Sequence, residues 1–342
     1  MARSSEEDAR RRRRSRLVKG LVFGAAAVGV PALVNRWVAR RAHHMPDARW
    51  VGTADRFAWR HADVAYQRLG DGPAVVLLHA FGPGHSAAEW RGVAEELEST
   101  FEVLAPDLPG WGHSDDVAVT FDGPLHVQML GDFLDQVVGR PAVVVGAGLA
   151  ASYAARLAVD RPDAVRAVGL VTPLGLDADG SAPEWRDAVI HGLLRSPLLG
   201  TSAVNLFTSK PAVATYLKKE VYASPDLVDD ALVDLHYFNS HRPASQRALA
   251  DYLAGHLHIA VADDLDRLAA PAWLAWGRRA THPRVETADR WLARLPTAEL
   301  DVFEQAGVLP HAESPGEFAR KLEAFALALD DDARGGSATG ER

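Results

Sequence analysis

Residues 103–115 read Val103-Leu104-Ala105-Pro106-Asp107-Leu108-Pro109-Gly110-Trp111-Gly112-His113-Ser114-Asp115, an apolar start that runs into a turn dense in Pro, Gly and Asp. Upstream, Val75-Val76-Leu77-Leu78-His79-Ala80-Phe81-Gly82 has the same layout, an apolar strand released into a small-residue loop. Working outward from this pair, short β-branched runs fit strands at Val64 to Leu69, Ala74 to His79, Phe101 to Ala105, Ala142 to Val145, Val165 to Val171, Ala272 to Trp276 and Glu299 to Phe303, with helical patterns in the gaps. Strands alternating with helices from residue 56 onward give an α/β fold, a mostly parallel sheet with helices on both faces.

One gap has no strand of its own. Residues 177–261 carry helical periodicity, as in Trp185 to Leu194 and Leu227 to Phe238, broken at Pro197, Pro211, Pro225 and Pro243, where helices are expected to end. This stretch is predicted to be an inserted helical cap roofing the carboxyl ends of the strands, the edge at which open α/β sheets bind ligands. The expected organisation is a basic tail (1–16), an anchor helix (17–38), a linker (39–55), an α/β core (56–176 and 262–329), the cap, and a disordered acidic and Gly-rich tail (330–342).

The two opening stretches, with Trp90 spaced between them, resemble the α/β-hydrolase superfamily, and the resemblance runs from about residue 50 to residue 328. It implies that the loop His79, Ala80, Phe81, Gly82 supplies a backbone N–H to an oxyanion hole, and that a Ser, Asp/Glu, His triad follows in that chain order. Three positions depart from it. Gly146-Ala147-Gly148-Leu149-Ala150 stands where the family has G-x-S-x-G, so the nucleophile position holds Gly148. Trp276-Gly277-Arg278-Arg279-Ala280 puts Ala280 at the acid position, and Gly307-Val308-Leu309-Pro310-His311 puts Val308 at the position of the base. A glycine offers no atom to attack a carbonyl, and nothing at 280 or 308 could activate one. No serine-hydrolase mechanism and no catalytic triad residue is therefore expected, while His79, Ala80, Phe81, Gly82, Trp111, Leu149 and His311 are candidate lining residues. Ser152 is weighed as a displaced nucleophile and Asp177 and Asp179 as a displaced acid, and His85 and Ser86 as pocket-lining residues, but these read instead as helix or loop residues, and His282, next to Ala280, as a surface or capping residue.

Composition bounds the rest. With 342 residues, 48% of them hydrophobic, the chain can bury a large core, and with no cysteine it has neither disulfides nor thiolate chemistry. No metal-ligand spacing appears among the fourteen histidines, so no metal and no other cofactor is expected. Residues 1–45 hold eleven Arg or Lys against three acids, so a net charge of −8 leaves about −16 on the remainder, which argues against nucleic acid as a partner. Arginine outnumbers lysine heavily, a bias associated with GC-rich bacteria. The uncharged run Gly20 to Val34 would make a helix of only ~22 Å, but extension to Leu17 and Val38, with Lys19 and Arg36 snorkelling, gives about 33 Å, enough for one membrane span with the N-terminus cytoplasmic. A peripheral helix packed on the body and a signal peptide remain alternatives. The expected function is a membrane-anchored, catalytically inactive binder of a small hydrophobic molecule or partner. The alternative is a hydrolase of ester or epoxide type, or a lyase, working through non-standard pocket residues.

Overall fold

A computed structural model describes residues 32–38, 40, 53–60, 62–115, 121–176, 192, 196, 199–242 and 244–338. Eight strands form one sheet: β1 (Thr53–Trp59), β2 (Ala62–Leu69), β3 (Ala74–Leu78), β4 (Glu102–Pro106), β5 (Ala142–Ala147), β6 (Val165–Val171), β7 (Ala272–Gly277) and β8 (Glu299–Phe303). They lie in the order β1-β2-β4-β3-β5-β6-β7-β8, and only β2 runs against its neighbours. Each strand expected from the sequence is present with ends shifted by two residues or fewer. The exception is β1, which the sequence reading left partly in the linker 39–55. Only Phe57 and Trp59 are buried along it, so the apolar pattern that marks the other strands is nearly absent.

The helices are α1 (32–38), α2 (Arg91–Leu97), α3 (Gly123–Phe133), α4 (Leu149–Asp160), α5 (Leu199–Phe207), α6 (Lys210–Tyr216), α7 (Asp230–Ser240), α8 (Ser245–Leu253), α9 (Ala262–Leu265), α10 (Ala288–Leu292), α11 (Pro310–Glu313) and α12 (Pro315–Ala338). Alternate residues of the central strands divide the core in two. Val75 and Leu77 of β3, with Val143 and Val145 of β5, pack on α2 and α12 through Trp90, Val93, Phe318 and Leu322. Val76, Leu78 and Val144 point the other way, onto α3 and α4 through Phe133 and Tyr153. A strand buried on both faces is apolar along its length, as β3 and β5 are, while β4 is apolar after Glu102, whose buried carboxylate is paired with Arg68 and Arg140.

α5 to α8 lie within the expected cap, whereas Trp185 to Leu194, Asp177 and Asp179 fall outside the described residues apart from Gly192. Two of the prolines act opposite to expectation. Pro211 sits in the first turn of α6 and Pro225 opens a short 3₁₀ turn, because a missing N–H costs nothing at a helix start. A second correction concerns the C-terminus, since α12 continues to Ala338 through the segment expected to be disordered from residue 330. Of the expected anchor 17–38, only 32–38 is described. There α1 is tied to the cap, Asn35 bonding Ser202 at 3.1 Å and accepting from Asn205 at 3.0 Å. Among the described residues no helix is long and apolar enough to cross a membrane, so the spanning helix is unsupported.

Candidate active site

The site is assembled where β5 turns into α4 within a single residue. Gly148 adopts φ 58°, ψ −119°, its N–H donating to Val171 O at 2.9 Å and its carbonyl accepting from Leu174 N at 3.1 Å. The turn is tight enough that a Cβ on Gly146 would lie 2.4 Å from the carbonyl oxygen of Ala150, so glycine is required there. A Cβ on Gly148, by contrast, would meet only Ala80 Cβ, at 4.0 Å. As first residue of α4, Leu149 carries one of the N–H groups that a helix leaves without an internal acceptor, at the positive end of the helix dipole.

Above this turn lies a cavity of about 290 Å³. Its floor is Gly148, Leu149, Val308 and Leu309. One wall is Ala80, Phe81 and His85 from the loop after β3, and the cap contributes Tyr216, Glu220, Val221 and Tyr252. The cap is fastened at this point, since Val308 N–H donates to Val221 O at 2.9 Å and Glu313 accepts the N–H groups of Ala223 and Gly307.

The structure thus brings Ala80, Phe81, Gly148, Leu149 and Val308 together. The other candidates lie elsewhere, each for a visible reason. His79 is a pin: Nδ1–H donates to Ala80 O at 2.7 Å and Nε2 accepts Leu108 N–H at 2.9 Å, while burial holds its pKa below the ordinary value and keeps it neutral. Gly82 allows the loop to pass Tyr216 and His85, where a Cβ would be 2.7 Å from the tyrosine hydroxyl. Trp111 packs edge-on against Phe81 behind the wall, ring centres 5.4 Å apart. Ala280 is buried outside the lining, although its neighbours Thr281 and His282 reach the cavity. Ser152 is buried and donates its hydroxyl to Leu174 O, a packing role within α4. His311 stacks on Trp90, ring centres 3.7 Å apart, and borders a second cavity of about 260 Å³ with Ser86 and His236.

One group absent from the sequence reading organises this region. Glu89 is buried, and its Oε1 accepts from Ala80 N–H at 2.8 Å and His311 Nε2–H at 3.2 Å. Its Oε2 accepts from His85 Nδ1–H at 2.9 Å. Burial alone would raise its pKa, but the hydrogen bonds from His311 and His85 and their charges prevail and hold it well below the usual carboxylate range. The opposite edge of His85 meets the Tyr216 hydroxyl, 3.2 Å from Nε2. The sequence signal was Ser86-Ala87-Ala88-Glu89, which has the form of a helix capping box. Here Ser86 caps the turn, but Glu89 faces inward.

A family model described as alpha/beta hydrolase family matches residues 75–321. The chain belongs to the alpha/beta hydrolase family. It is 27% identical over 274 residues to an uncharacterized protein of Mycobacterium tuberculosis, covering 76% of this chain and 77% of that one. It is 26% identical over 269 residues to a pimeloyl-[acyl-carrier protein] methyl ester esterase of Aeromonas hydrophila, covering 77% and 98%. Among solved structures, the epoxide hydrolase CorEH superposes with a TM-score of 0.68 at 22% identity, covering 81% of this chain and 99% of that one. In this alpha/beta hydrolase, the turn after β5 carries Gly148, the loop after β7 carries Ala280 and the loop after β8 carries Val308, none with a titratable or nucleophilic side chain. The polar groups at the cavity come from the loop after β3, from the cap and, beside Ala280, from Thr281 and His282 of the loop after β7, so His282 is a lining residue and not the surface residue expected.

Proposed function

We propose that this alpha/beta hydrolase binds a small, largely apolar carbonyl compound of ester type in the cavity above Gly148 and hydrolyses it by direct attack of water, with no covalent serine intermediate. The observation that carries the reading is the cavity itself. Its floor sets the N–H of Leu149, at a helix N-terminus, beneath an apolar chamber, where it suits a carbonyl oxygen gaining negative charge. The volume lies at the low end for small-molecule sites, which favours short acyl groups. Relatives named as esterases support hydrolysis over inert binding. Purified protein offered a panel of short-chain p-nitrophenyl esters should turn one over without an initial burst, without an adduct in the intact mass, and without fluorophosphonate labelling. Labelling of a serine would refute the direct-water route.

A second reading, ligand binding without turnover, is favoured by the purely apolar side chains at Ala280 and Val308. Saturable binding of such an ester with no hydrolysis would select it, and neither binding nor hydrolysis would refute both. We further propose that the protein rests on an anionic membrane surface. Leu33, Val34 and Trp37 of α1 and Leu206 and Phe207 of α5 are exposed, and seven basic residues lie between Arg10 and Lys19. Cosedimentation with phosphatidylglycerol vesicles, lost on deleting residues 1–40, is the expected result; retention by the deletion variant would overturn it.

A further inference from the structure

We infer that His85 is the general base of the water-attack route, its imidazole oriented by the carboxylate of Glu89 and its Nε2 presented at the cavity beside Tyr216. The inference rests on reading the cavity as a hydrolytic site and names the side chain that does the work there. Its support is geometric. A base needs an unprotonated nitrogen at the substrate and a fixed tautomer. Glu89 Oε2 lies 2.9 Å from Nδ1, which places the ring proton on Nδ1 and makes Nε2 the accepting nitrogen, where the Tyr216 O–H donates and a substrate water would take its place. The acceptor edge meets the Tyr216 hydroxyl, and both residues line the same cavity as Gly148 and Leu149.

The orienting carboxylate is itself held rigidly. Glu89 makes three hydrogen bonds, to Ala80 N–H, to His311 Nε2–H and to His85, so neither oxygen is free to rotate away. His311 is fixed in turn by stacking on Trp90. The other titratable groups around His85 include His236 of α7, whose ring centre is 5.1 Å away and which burial keeps neutral with its pKa lowered to about 4, Tyr216 of α6, and His79 and His311, both held below the ordinary value by burial. Glu89 is thus the one anion among these contacts, and it stabilises the imidazolium that forms when His85 takes a proton.

The step balances. Water oxygen bonds to the carbonyl carbon as one water proton passes to His85 Nε2, and the carbonyl π pair moves onto oxygen, facing Leu149 N–H. The tetrahedral intermediate then expels the alcohol oxygen, which takes the proton back from Nε2. Carboxylic acid and alcohol leave, and His85 is neutral again. Glu89 touches no reacting atom and acts as a positioning residue.

The test uses the full chain and the p-nitrophenyl ester it turns over fastest. His85→Gln should lower kcat by at least about 100-fold, with binding of the matching non-hydrolysable amide changed less than about threefold. His85→Ala should be equally slow and be restored by added imidazole, which guards against a folding defect. Long-range ¹⁵N–¹H NMR should place the His85 proton on Nδ1, and Glu89→Gln should lower kcat with KM unchanged while scrambling that tautomer. Turnover by His85→Gln within about threefold of wild type would overturn this assignment and leave the hydrolytic reading standing. A wild-type protein that turns over no ester would overturn both.

Discussion

Consider serine restored at the elbow. In Gly148→Ser the new Cβ would lie 4.0 Å from Ala80 Cβ, an ordinary contact, so packing does not oppose the change. The backbone does. Gly148 holds φ 58° with ψ −119°, and a side chain in so sparsely populated a conformation costs on the order of 1–3 kcal/mol. For a domain of this size that corresponds to a melting temperature lower by roughly 2–6 °C. Gly148→Ala carries the same strain without the hydroxyl and should fall by the same amount, which calorimetry on the pair can check. The positions that would activate the hydroxyl hold Ala280 and Val308, and His282 is the one imidazole of those two loops that lines the cavity. Gly148→Ser should therefore react with fluorophosphonate no faster than wild type. Rapid labelling at residue 148 would refute this reasoning by showing that His85, or another group, already reaches the elbow as a base for serine. A Gly148→Ala protein as stable as wild type would refute the strain argument instead.

Buried histidines, the β4 turn and two glycines offer further tests of the same structure. His126 and His236 are buried and kept neutral, with pKa lowered to about 3 and about 4 by desolvation, so above the unfolded value of 6.5 both states are neutral and stability is full. As pH falls below 6.5 only the unfolded chain binds the proton, and by pH 5 each histidine should subtract about 2 kcal/mol, a slope that His126→Phe reduces by one proton in urea melts. Glu89 adds no slope in that window, because its carboxylate stays ionised in both states above its ordinary value. Asp107→Ala removes acceptors for Ala87 N–H and His113 N–H, both within 2.8 Å, and should destabilise by about 2–4 kcal/mol while loosening the loop that carries His85. Gly146→Ala should cost more than about 3 kcal/mol because its Cβ collides with backbone, whereas Gly139→Ala, with φ 67° and nothing within 4 Å, should cost about 1 kcal/mol.

What could be read in the sequence was whatever a strand or turn imposes on residue type locally. β3, β5 and the part of β4 after Glu102 are apolar because both faces are covered, and the turn after β4 announces itself because Asp107 must accept backbone N–H groups that only that geometry presents. β1 escaped because it lies at the sheet edge and buries only two side chains. Leu149 and Val308 were located by their place beside motif residues, which strand ends fix. Glu89 and Tyr216 were not, because what matters about them is that both meet His85, which Tyr216 reaches across 131 residues of chain when α6 of the cap settles over the loop after β3. His79 and His311 misled for the complementary reason. Their motif positions are right, but one spends both ring nitrogens on backbone groups and the other stacks on Trp90 with Nε2 on Glu89, and neither lines the cavity.

The placement of the carboxylate–imidazole pair bears on how much of this site is preorganised. A base carried on a long loop must be held against its own conformational freedom, and small misplacements are costly to rate. His85 and Glu89 are one helical turn apart across the start of a short helix, and that helix is tied to the β4 turn through Asp107, which accepts Ala87 N–H. The cap then closes on the same loop, with Asn239 donating to Gly84 O and Ser86 Oγ and His236 facing Pro83 O. The loop bearing His85 is therefore clamped from both sides, by the sheet edge beneath and by α7 above. Movement of α7 would shift the base directly, whereas α5 reaches it through α6, which carries Tyr216. Cap substitutions at Asn239 should consequently alter kcat more than substitutions on α5 do.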